Sequence, residues 1–254
     1  MENAAELLCA IRSGRHSRVA SLPAELAPAD EAAAYRIQGD VLRLLGAGIS
    51  GWKASMPDAT RGTSAPIASG NLLRSPALMS DAVHRTVHTQ RYGIEPEIAF
   101  TFSKALLPLE DSVRYSRAQV LDAVGTAHSA IEICVCRLKD FEAAPPLHRL
   151  ADSIMNEALL AGGGTAGWSK LDLTQRRLVL QIGGLTVHEG VGGHPLGDPL
   201  IPLVWMVNHL SARGIGVKAG DVVTTGSCAG IHTAEPGQKV RVEFEGLGIA
   251  TLTL

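Results

Sequence analysis

Apolar and polar residues repeat with a helical period at the start of the chain. Glu2 to Ser13 predicts a first helix, and Pro23 and Pro28 mark a linker. Asp30 is a suitable N-cap for a second helix, which Gly46 ends. Apolar residues recur through this second helix at helical spacing, at Ala34, Ile37, Val41 and Leu45.

From Ile49 onward the pattern changes to short alternating runs that glycine and proline interrupt. A strand has a side-chain period of two, so these runs predict strands at residues 51–54, 77–88, 94–102, 131–138 and 240–253, and a hairpin that joins 177–182 to 185–187 around Gly183-Gly184. Residues 56–70 predict a loop. Further helices are predicted at residues 117–129, 147–160 and, capped by Asp198, 198–212.

These elements predict an α+β protein in two parts. Residues 1–75 form a helical N-terminal segment that also contains the strand or loop of Lys53. Residues 76–254 form a mainly β catalytic domain. The order of elements differs from a βαβ Rossmann pattern, so the sequence shows no dinucleotide-binding GxGxxG fingerprint between a strand and a helix.

Composition narrows the classes of function. Of 254 residues 46% are hydrophobic, which suffices for a sizeable core, and a net charge of −2 favours neither nucleic acid nor a membrane as partner. No run approaches the roughly 18 apolar residues of a spanning helix. The N-terminus has no basic region before an apolar run, so it does not resemble a signal peptide. The four cysteines are predicted to be reduced core residues of a cytoplasmic protein.

The most informative string is Ile94-Glu95-Pro96-Glu97-Ile98, in a predicted strand. Its period of two points Glu95 and Glu97 to one face, where their charges repel. A bound cation removes that conflict. The alternative is an acidic strand edge that faces solvent.

Glu132 is a lone carboxylate inside an apolar strand, and such a residue is almost never buried unless it is paired or binds a metal. An ion pair with Arg137 or Lys139 is the alternative to a metal. With Glu95 and Glu97 it makes an all-carboxylate donor set, which favours Mg²⁺ or Mn²⁺ before Ca²⁺ and disfavours zinc.

Two further features are candidates for the same site. Lys53 lies in an apolar-flanked segment, where desolvation would lower its pKa and suit it to acid–base work. A surface lysine is the alternative. The small-residue turn from Thr224 to Gly230 follows a predicted strand, and such turns bind carboxylates or phosphates through exposed amides. An ordinary turn is equally compatible with that string.

The ordered set of motifs resembles a known family over nearly the whole chain. The strings are Ala33 to Gln38, Gly51-Trp52-Lys53, Glu95 to Phe100, Ala130 to Ile133 with Arg137 after it, Gly220 to Ser227, and Val242 to Gly248. In order and spacing they resemble the 2-keto-4-pentenoate hydratase and 4-oxalocrotonate decarboxylase branch of the fumarylacetoacetate hydrolase superfamily.

The resemblance implies a mixed β-roll fold and a Mg²⁺ or Mn²⁺ site on Glu95, Glu97 and Glu132. It implies that Lys53 is the acid–base residue and that Ser227 contacts the substrate. Asp152 and Asn156 fall where the family has polar pocket residues. Asn156 and Glu157 replace the Asp and Asn that are usual there, so a reshaped substrate pocket is expected.

The expected activity is hydration of a 2-hydroxypenta-2,4-dienoate-like acid to a 4-hydroxy-2-oxo acid, as in aromatic compound degradation. Three alternatives stay open: a 4-oxalocrotonate-type decarboxylase, an acylpyruvate hydrolase, and a non-catalytic protein that binds a 2-oxo acid. The hydrolase would need a histidine base, with candidates at His84, His88, His128 and His148. The resemblance also implies a homo-oligomer and an assembly with a partner enzyme of the pathway.

Overall fold

The computed structural model describes residues 3–78, 91–110 and 112–254. The helices are α1 (Ala4–Arg12), α2 (Glu31–Leu44), α3 (Arg117–Ala123), α4 (Pro146–Ala151) and α5 (Leu200–Ala212). The strands are β1 (Ile49–Ser55), β2 (Thr63–Ala68), β3 (Leu72–Arg74), β4 (Ala77–Leu78), β5 (Tyr92–Phe102), β6 (Val124–Cys134), β7 (Asn156–Ala161), β8 (Arg177–Ile182), β9 (Leu185–Val191), β10 (Val222–Ser227), β11 (His232–Ala234), β12 (Lys239–Phe244) and β13 (Ile249–Thr253).

The strands in these described ranges form two sheets. The larger sheet has eight strands, in the order β2-β1-β10-β5-β6-β7-β3, with β11 paired to β5 beside this path. The smaller has five, in the order β4-β13-β12-β8-β9. Parallel pairs such as β1 with β10 occur beside antiparallel ones such as β5 with β6, so both the predicted α+β class and a mixed sheet are confirmed.

The main core lies between the two sheets. Strands β12 and β13 pack on β6, so that Ile131 of β6 shares one core with Phe244 and Leu252. Ser129 joins the sheets directly: its hydroxyl accepts from the Phe244 amide at 2.8 Å and donates to the Gly248 carbonyl at 2.6 Å. Since side chains alternate along a strand, the face of β6 that carries Glu132 points away from this core.

The N-terminal helices build a second core. Residues of α1 and α2 pack with Leu150 of α4 and Ala65 of β2. Gln38 of α2 fixes this packing, because its amide nitrogen donates to the Leu150 carbonyl at 2.6 Å and to the Ser64 carbonyl at 3.1 Å. The predicted cap of α2 is confirmed, since Asp30 accepts from the Ala33 amide.

Several other sequence predictions are confirmed. The hairpin of β8 and β9 turns at Gly183 and Gly184, which both have positive φ. Helix α5 is confirmed from Leu200 onward, but its N-cap residue is Pro199, one residue after the predicted cap Asp198, whose carboxylate accepts from the Leu200 amide at 2.9 Å. Of the strand expected over residues 77–88, the described residues include only Ala77–Leu78, which form β4. His84 and His88 lie outside the described residues.

Two predicted helices are too long. The helix expected over 117–129 ends at Ala123, where β6 begins and pairs with β5. The helix expected over 147–160 ends at Ala151. Three consecutive residues with positive φ, Ser153 to Met155, then turn the chain into β7, which pairs with β6. Strand pairing overrides helical periodicity in both places.

The predicted loop at 56–70 is also wrong in part, because β2 occupies Thr63–Ala68. Its Pro66 lacks an amide hydrogen, and a proline is tolerated in an edge strand such as β2. The division of the chain at residue 75 remains a prediction, and strands on both sides of residue 75 belong to the larger sheet. No helix in the described part of the chain is long and apolar enough to cross a membrane.

Candidate active site

A cavity of about 710 Å³ opens beside the middle of the larger sheet. Lys53 of β1, Glu95 and Glu97 of β5 and the end of β10 line one side of it. Three neighbouring strands therefore contribute charged or polar groups to a single concave surface. This is the arrangement expected of a small-molecule site.

Strand register brings the three glutamates together. Glu95 of β5 lies directly opposite Glu132 of β6, so both side chains share one face of the sheet. Glu97 follows two residues later on that face and lies opposite Ser227 of β10. Glu97 and Glu132 are fully buried. The structure thus brings together the three residues that the sequence singles out as metal ligands.

Lys53 provides the cation of this cluster. Its Nζ lies 2.8 Å from Glu132 Oε1 and 3.7 Å from Glu95 Oε2, and it donates to the Ile154 carbonyl at 3.0 Å. Lys53 is buried, so it is not the surface lysine that the sequence also allowed. The ion-pair partner of Glu132 is Lys53, neither Arg137 nor Lys139.

Burial lowers the pKa of Lys53, but the negative charges of Glu132 and Glu95 outweigh it and hold that pKa well above its ordinary value. The expectation of a lowered pKa is therefore wrong for this arrangement of side chains. It considered desolvation alone, whereas the fold surrounds the ammonium with carboxylates.

Glu97 is held by the turn at the end of β10. Its Oε2 accepts from the Thr224 hydroxyl and from the Gly226 amide, the latter at 2.7 Å. The exposed amide expected in this turn therefore binds a carboxylate of the protein itself.

The buried carboxylates of this cluster could also bind a metal cation. Glu97 Oε1 and Glu132 Oε2 are buried with no hydrogen-bond partner among the described residues. Burial, then the neighbouring Glu132 and Glu95, raise the pKa of Glu97, and burial raises the pKa of Glu132 despite the opposing charge of Lys53. A divalent cation between these groups would relieve both the crowding and the missing contacts, so the residues present fit a metal site.

Cys134 also belongs to this cluster, which the sequence analysis missed by assigning it to the core. It follows Glu132 by two residues on β6, and its thiol donates to Glu95 Oε2 at 3.4 Å. Potential ligand atoms of Glu95, Glu132 and Cys134 all lie within 4.8 Å of one another. The period of two that placed Glu97 beside Glu95 would have identified Cys134 as well.

Asp152 and Asn156 lie behind the cavity wall, not on it. Asp152 accepts from the Arg137 side chain at 2.6 Å and from the Arg137 amide at 2.8 Å. Asn156 Nδ2 donates to Glu132 Oε1 at 2.8 Å. Both side chains are buried and make their polar contacts within the protein, where they support the cluster. Ser227 does line the cavity, and its hydroxyl donates to the Gly230 carbonyl at 2.7 Å.

Arg137 fixes the left-handed turn between these two residues. On one side of the turn it binds Asp152. On the other side its guanidinium contacts Glu157 at 3.1 Å and donates to the Asn156 carbonyl at 2.8 Å. Ile154, at φ 53°, lies between these attachment points, and its carbonyl faces Lys53. A β-branched residue rarely adopts this conformation, which indicates that the surrounding contacts impose it.

His194 and Arg149 line the cavity but were not singled out from the sequence. His194 Nε2 donates to the Thr225 carbonyl at 2.8 Å while Nδ1 accepts from the Leu196 amide at 3.1 Å, so both ring nitrogens are occupied. Of the predicted candidate bases, His128 is buried between Thr101, Thr126 and the Gly162 carbonyl, and His148 accepts from the Leu22 amide. Neither His128 nor His148 lines the cavity.

Comparisons with known proteins agree with this geometry. The family model described as fumarylacetoacetate (FAA) hydrolase C-terminal matches residues 60–254. The chain is 27% identical to 2-keto-4-pentenoate hydratase 1 of Dechloromonas aromatica (strain RCB) over 97% of its own length and 94% of that protein. It is 28% identical to 4-oxalocrotonate decarboxylase of Pseudomonas putida over 51% of its own length, and this alignment spans about half of that relative, 48%.

A solved structure shares the fold over almost the whole chain. It is that of 4-oxalocrotonate decarboxylase from Pseudomonas putida G7, complexed with calcium and acetate, with a TM-score of 0.78 and 21% identity. The superposition covers 98% of this chain and 95% of the other. The fold implied by the sequence resemblance is confirmed.

Proposed function

Because the chain belongs to the fumarylacetoacetate hydrolase C-terminal family, we propose that it is a metal-dependent lyase that acts on a small 2-oxo acid. The favoured reaction is hydration of a 2-hydroxypenta-2,4-dienoate-like substrate to a 4-hydroxy-2-oxo acid. The observation that carries the proposal is the buried Lys53, held against Glu132 and Glu95 at the wall of a substrate-sized cavity.

The donor set fits Mg²⁺ or Mn²⁺, which would be held by Glu95, Glu97 and Glu132. When bound, such an ion supplies Lewis-acid polarisation of the 2-oxo group. The relatives support this choice, since one solved structure of a 4-oxalocrotonate decarboxylase is complexed with magnesium and adipate.

Lys53 would move the proton that the reaction transfers. As an ammonium, its Nζ would donate a proton to carbon and then take the proton of the substrate's enol oxygen, so that the dienol becomes the keto form and Lys53 is charged again. Water then adds across the remaining carbon–carbon double bond at C4, so the product is substrate plus one water. The cavity wall, with Ser227 as a predicted contact, would orient the acid during both steps.

A spectroscopic assay tests this function. The dienol absorbance of 2-hydroxypenta-2,4-dienoate should decay with Mg²⁺ and wild-type protein, and should persist with Glu95→Gln or Lys53→Met. Lys104→Met, which alters an exposed lysine paired with Asp122, is the matched control and should keep wild-type turnover. An absorbance that stays unchanged with Mg²⁺, with wild type and Glu95→Gln indistinguishable, would overturn the proposal. Binding of oxalate without turnover would then favour the non-catalytic alternative.

A second candidate is decarboxylation of a 4-oxalocrotonate-type acid, and Arg149 is the observation that favours it. Apart from Lys53, Arg149 is the only lysine or arginine among the described residues that line the cavity. Its partner Glu142 lies 3.5 Å away and its side chain is 86% exposed, so the ion pair is weak. The guanidinium can therefore also donate hydrogen bonds to a carboxylate of the substrate. A dicarboxylic substrate would use that contact, and a monocarboxylic dienoate would not.

Arg149→Met separates the two substrates. If the protein acts on a dicarboxylate, the variant should raise KM for 4-oxalocrotonate about tenfold and leave the dienoate unaffected, because one charge-assisted hydrogen bond is worth about 1.5–3 kcal/mol. CO₂ release identifies the decarboxylase directly. Equal effects on both acids would contradict a role for Arg149 in selecting dicarboxylates.

The acylpyruvate hydrolase finds less support. It needs a base that activates water. Among the described residues His128 and His148 do not line the cavity, and His194, which does, uses both ring nitrogens in contacts with the protein. Release of pyruvate from acetylpyruvate would support the hydrolase function instead.

The cytoplasmic location, the homo-oligomer and the assembly with a pathway enzyme stay predictions. Size-exclusion chromatography with light scattering tests whether the protein is a homo-oligomer.

A further inference from the structure

We infer that Cys134 gives the metal site a second, softer donor set. Glu95, Glu132 and Cys134 together would bind borderline or soft divalent cations such as Zn²⁺, Co²⁺ or Cd²⁺, in competition with the Mg²⁺ or Mn²⁺ of the carboxylate set. This inference deepens the proposed function, because it rests on the proposed metal site and concerns which metal that site selects.

The geometry places the thiol among the carboxylates. Cys134 is opposite Gly93 in the regular pairing of β5 with β6, one step beyond the pair of Glu95 and Glu132 on the same face. Its sulfur lies 3.4 Å from Glu95 Oε2, and the three potential ligand atoms lie within 4.8 Å of one another. A single ion can therefore contact all three with side-chain adjustments alone.

An independent observation indicates a missing ligand at this place. Glu132 is fully buried, and its Oε2 has no hydrogen-bond partner among the described residues although its Oε1 accepts from both Lys53 and Asn156. An unpartnered buried carboxylate oxygen is costly, and a bound cation would satisfy it.

The chemistry of the donors decides which cations bind more tightly when Cys134 takes part. Thiolate ligands select soft and borderline metals, whereas Mg²⁺ requires oxygen donors and gains nothing from sulfur. Metal binding to Cys134 would release the thiol proton to solvent. The two donor sets share Glu95 and Glu132, so a soft ion and Mg²⁺ exclude each other. A soft ion drawn toward Cys134 would leave Glu97 out of its coordination and so reduce turnover.

Titration with Co²⁺ tests this directly. The wild-type protein should develop a near-ultraviolet sulfur-to-cobalt charge-transfer band, which excess Mg²⁺ removes. Cys134→Ala should lose the band, whereas Cys9→Ala should keep it, since Cys9 is a buried cysteine of α1 in the N-terminal core. By calorimetry, Cys134→Ala should weaken Cd²⁺ binding at least about tenfold more than Mg²⁺ binding, because it removes a direct ligand of Cd²⁺ but only an outer-shell partner of the Mg²⁺ ligand Glu95.

X-ray absorption at the cadmium edge gives a second readout that needs no variant. Wild-type protein should show one sulfur neighbour of the bound ion. Only oxygen or nitrogen neighbours, or a Co²⁺ band that survives Cys134→Ala or excess Mg²⁺, would overturn the inference. These spectra do not depend on turnover, so failure of the lyase assay and failure of this inference are separate results.

Discussion

Lys53 and Glu132 depend on each other at the level of single residues. Each is buried, and their atoms approach to 2.8 Å. Either charge alone in this position would carry a large desolvation cost. The sequence singles out both residues, and the structure adds that each compensates the other before any metal is considered.

Replacing one partner should therefore cost more than replacing both. In buffer with EDTA, Lys53→Met should lower the free energy of unfolding by about 3 kcal/mol or more, because buried carboxylates lose their cation. Adding Glu132→Gln should recover about 1 kcal/mol or more of that loss. Urea unfolding measures both. Strictly additive losses would show that the pair does not interact, and Lys104→Met should cost about 1 kcal/mol at most.

His209 provides a pH dependence away from the cavity. Its ring stacks on Trp205 at a centroid distance of 4.5 Å, and its Nε2 has no partner among the described residues. Burial, and then the charge of Arg213, lower the pKa of His209 to about 4. The folded state thus resists a proton that the unfolded state takes up near the ordinary value of 6.5.

This difference should destabilise the protein as pH falls. Above about pH 6.5 His209 is neutral in both the folded and the unfolded chain and does not change the free energy of unfolding. As pH falls from about 6.5 to about 4, the unfolded chain takes up a proton that the folded chain does not, so the free energy of unfolding decreases. We expect a loss on the order of 2 kcal/mol, since partial exposure reduces the full linkage. His209→Phe keeps the stacking and should flatten this part of the stability curve. Equal pH slopes for variant and wild type in urea unfolding would contradict the assignment.

At the level of elements, Gly51 explains why the lysine motif begins with glycine. A Cβ at Gly51 would collide with the backbone carbonyl of Val222 in the paired strand β10. Backbone atoms of a central sheet have little freedom to move. The close approach of β1 to β10 therefore requires glycine two residues before Lys53.

Two glycine substitutions should act in opposite directions. Gly51→Ala should destabilise the fold by about 2 kcal/mol or more through overpacking, and should reduce turnover by displacing Lys53. Gly39→Ala lies in α2 with nothing within 4 Å of the added carbon, and should stabilise by about 0.5–1 kcal/mol. Thermal unfolding of both variants gives the comparison. A neutral Gly51→Ala would show that β1 and β10 are less tightly paired than described.

For the whole molecule, the proposed metal ligands come from different strands, β5 and β6, and meet only when the larger sheet is assembled. A cation that binds this cluster therefore binds the folded chain and not the unfolded one. Folding and metal binding should be linked.

Mg²⁺ should consequently stabilise the fold. At a free concentration of about 100 times Kd the gain should be about 2.7 kcal/mol, visible as a rise in Tm that EDTA reverses. Glu95→Gln should abolish the rise. Asp58→Asn, an exposed acid of the loop before β2, should keep it. A Tm that Mg²⁺ leaves unchanged in wild-type protein would contradict the metal site.

The sequence by itself determines the features that depend on local pattern. The helical cap at Asp30, the hairpin at Gly183 and the shared face of Glu95 and Glu97 all follow from spacing within one segment. The ordered motifs also identify the family and the carboxylate trio, because these depend on residue type and order along the chain.

Only the tertiary structure decides what depends on contacts between distant segments. It pairs Glu132 with Lys53 instead of Arg137, turns the second half of a predicted helix into β7, and withdraws Asp152 and Asn156 from the cavity. It also brings Cys134 to the carboxylates and raises the pKa of Lys53 where desolvation alone would lower it. Each outcome depends on which segments become neighbours in the sheets, and the pattern of one segment carries no information about the charges and backbones that will surround it.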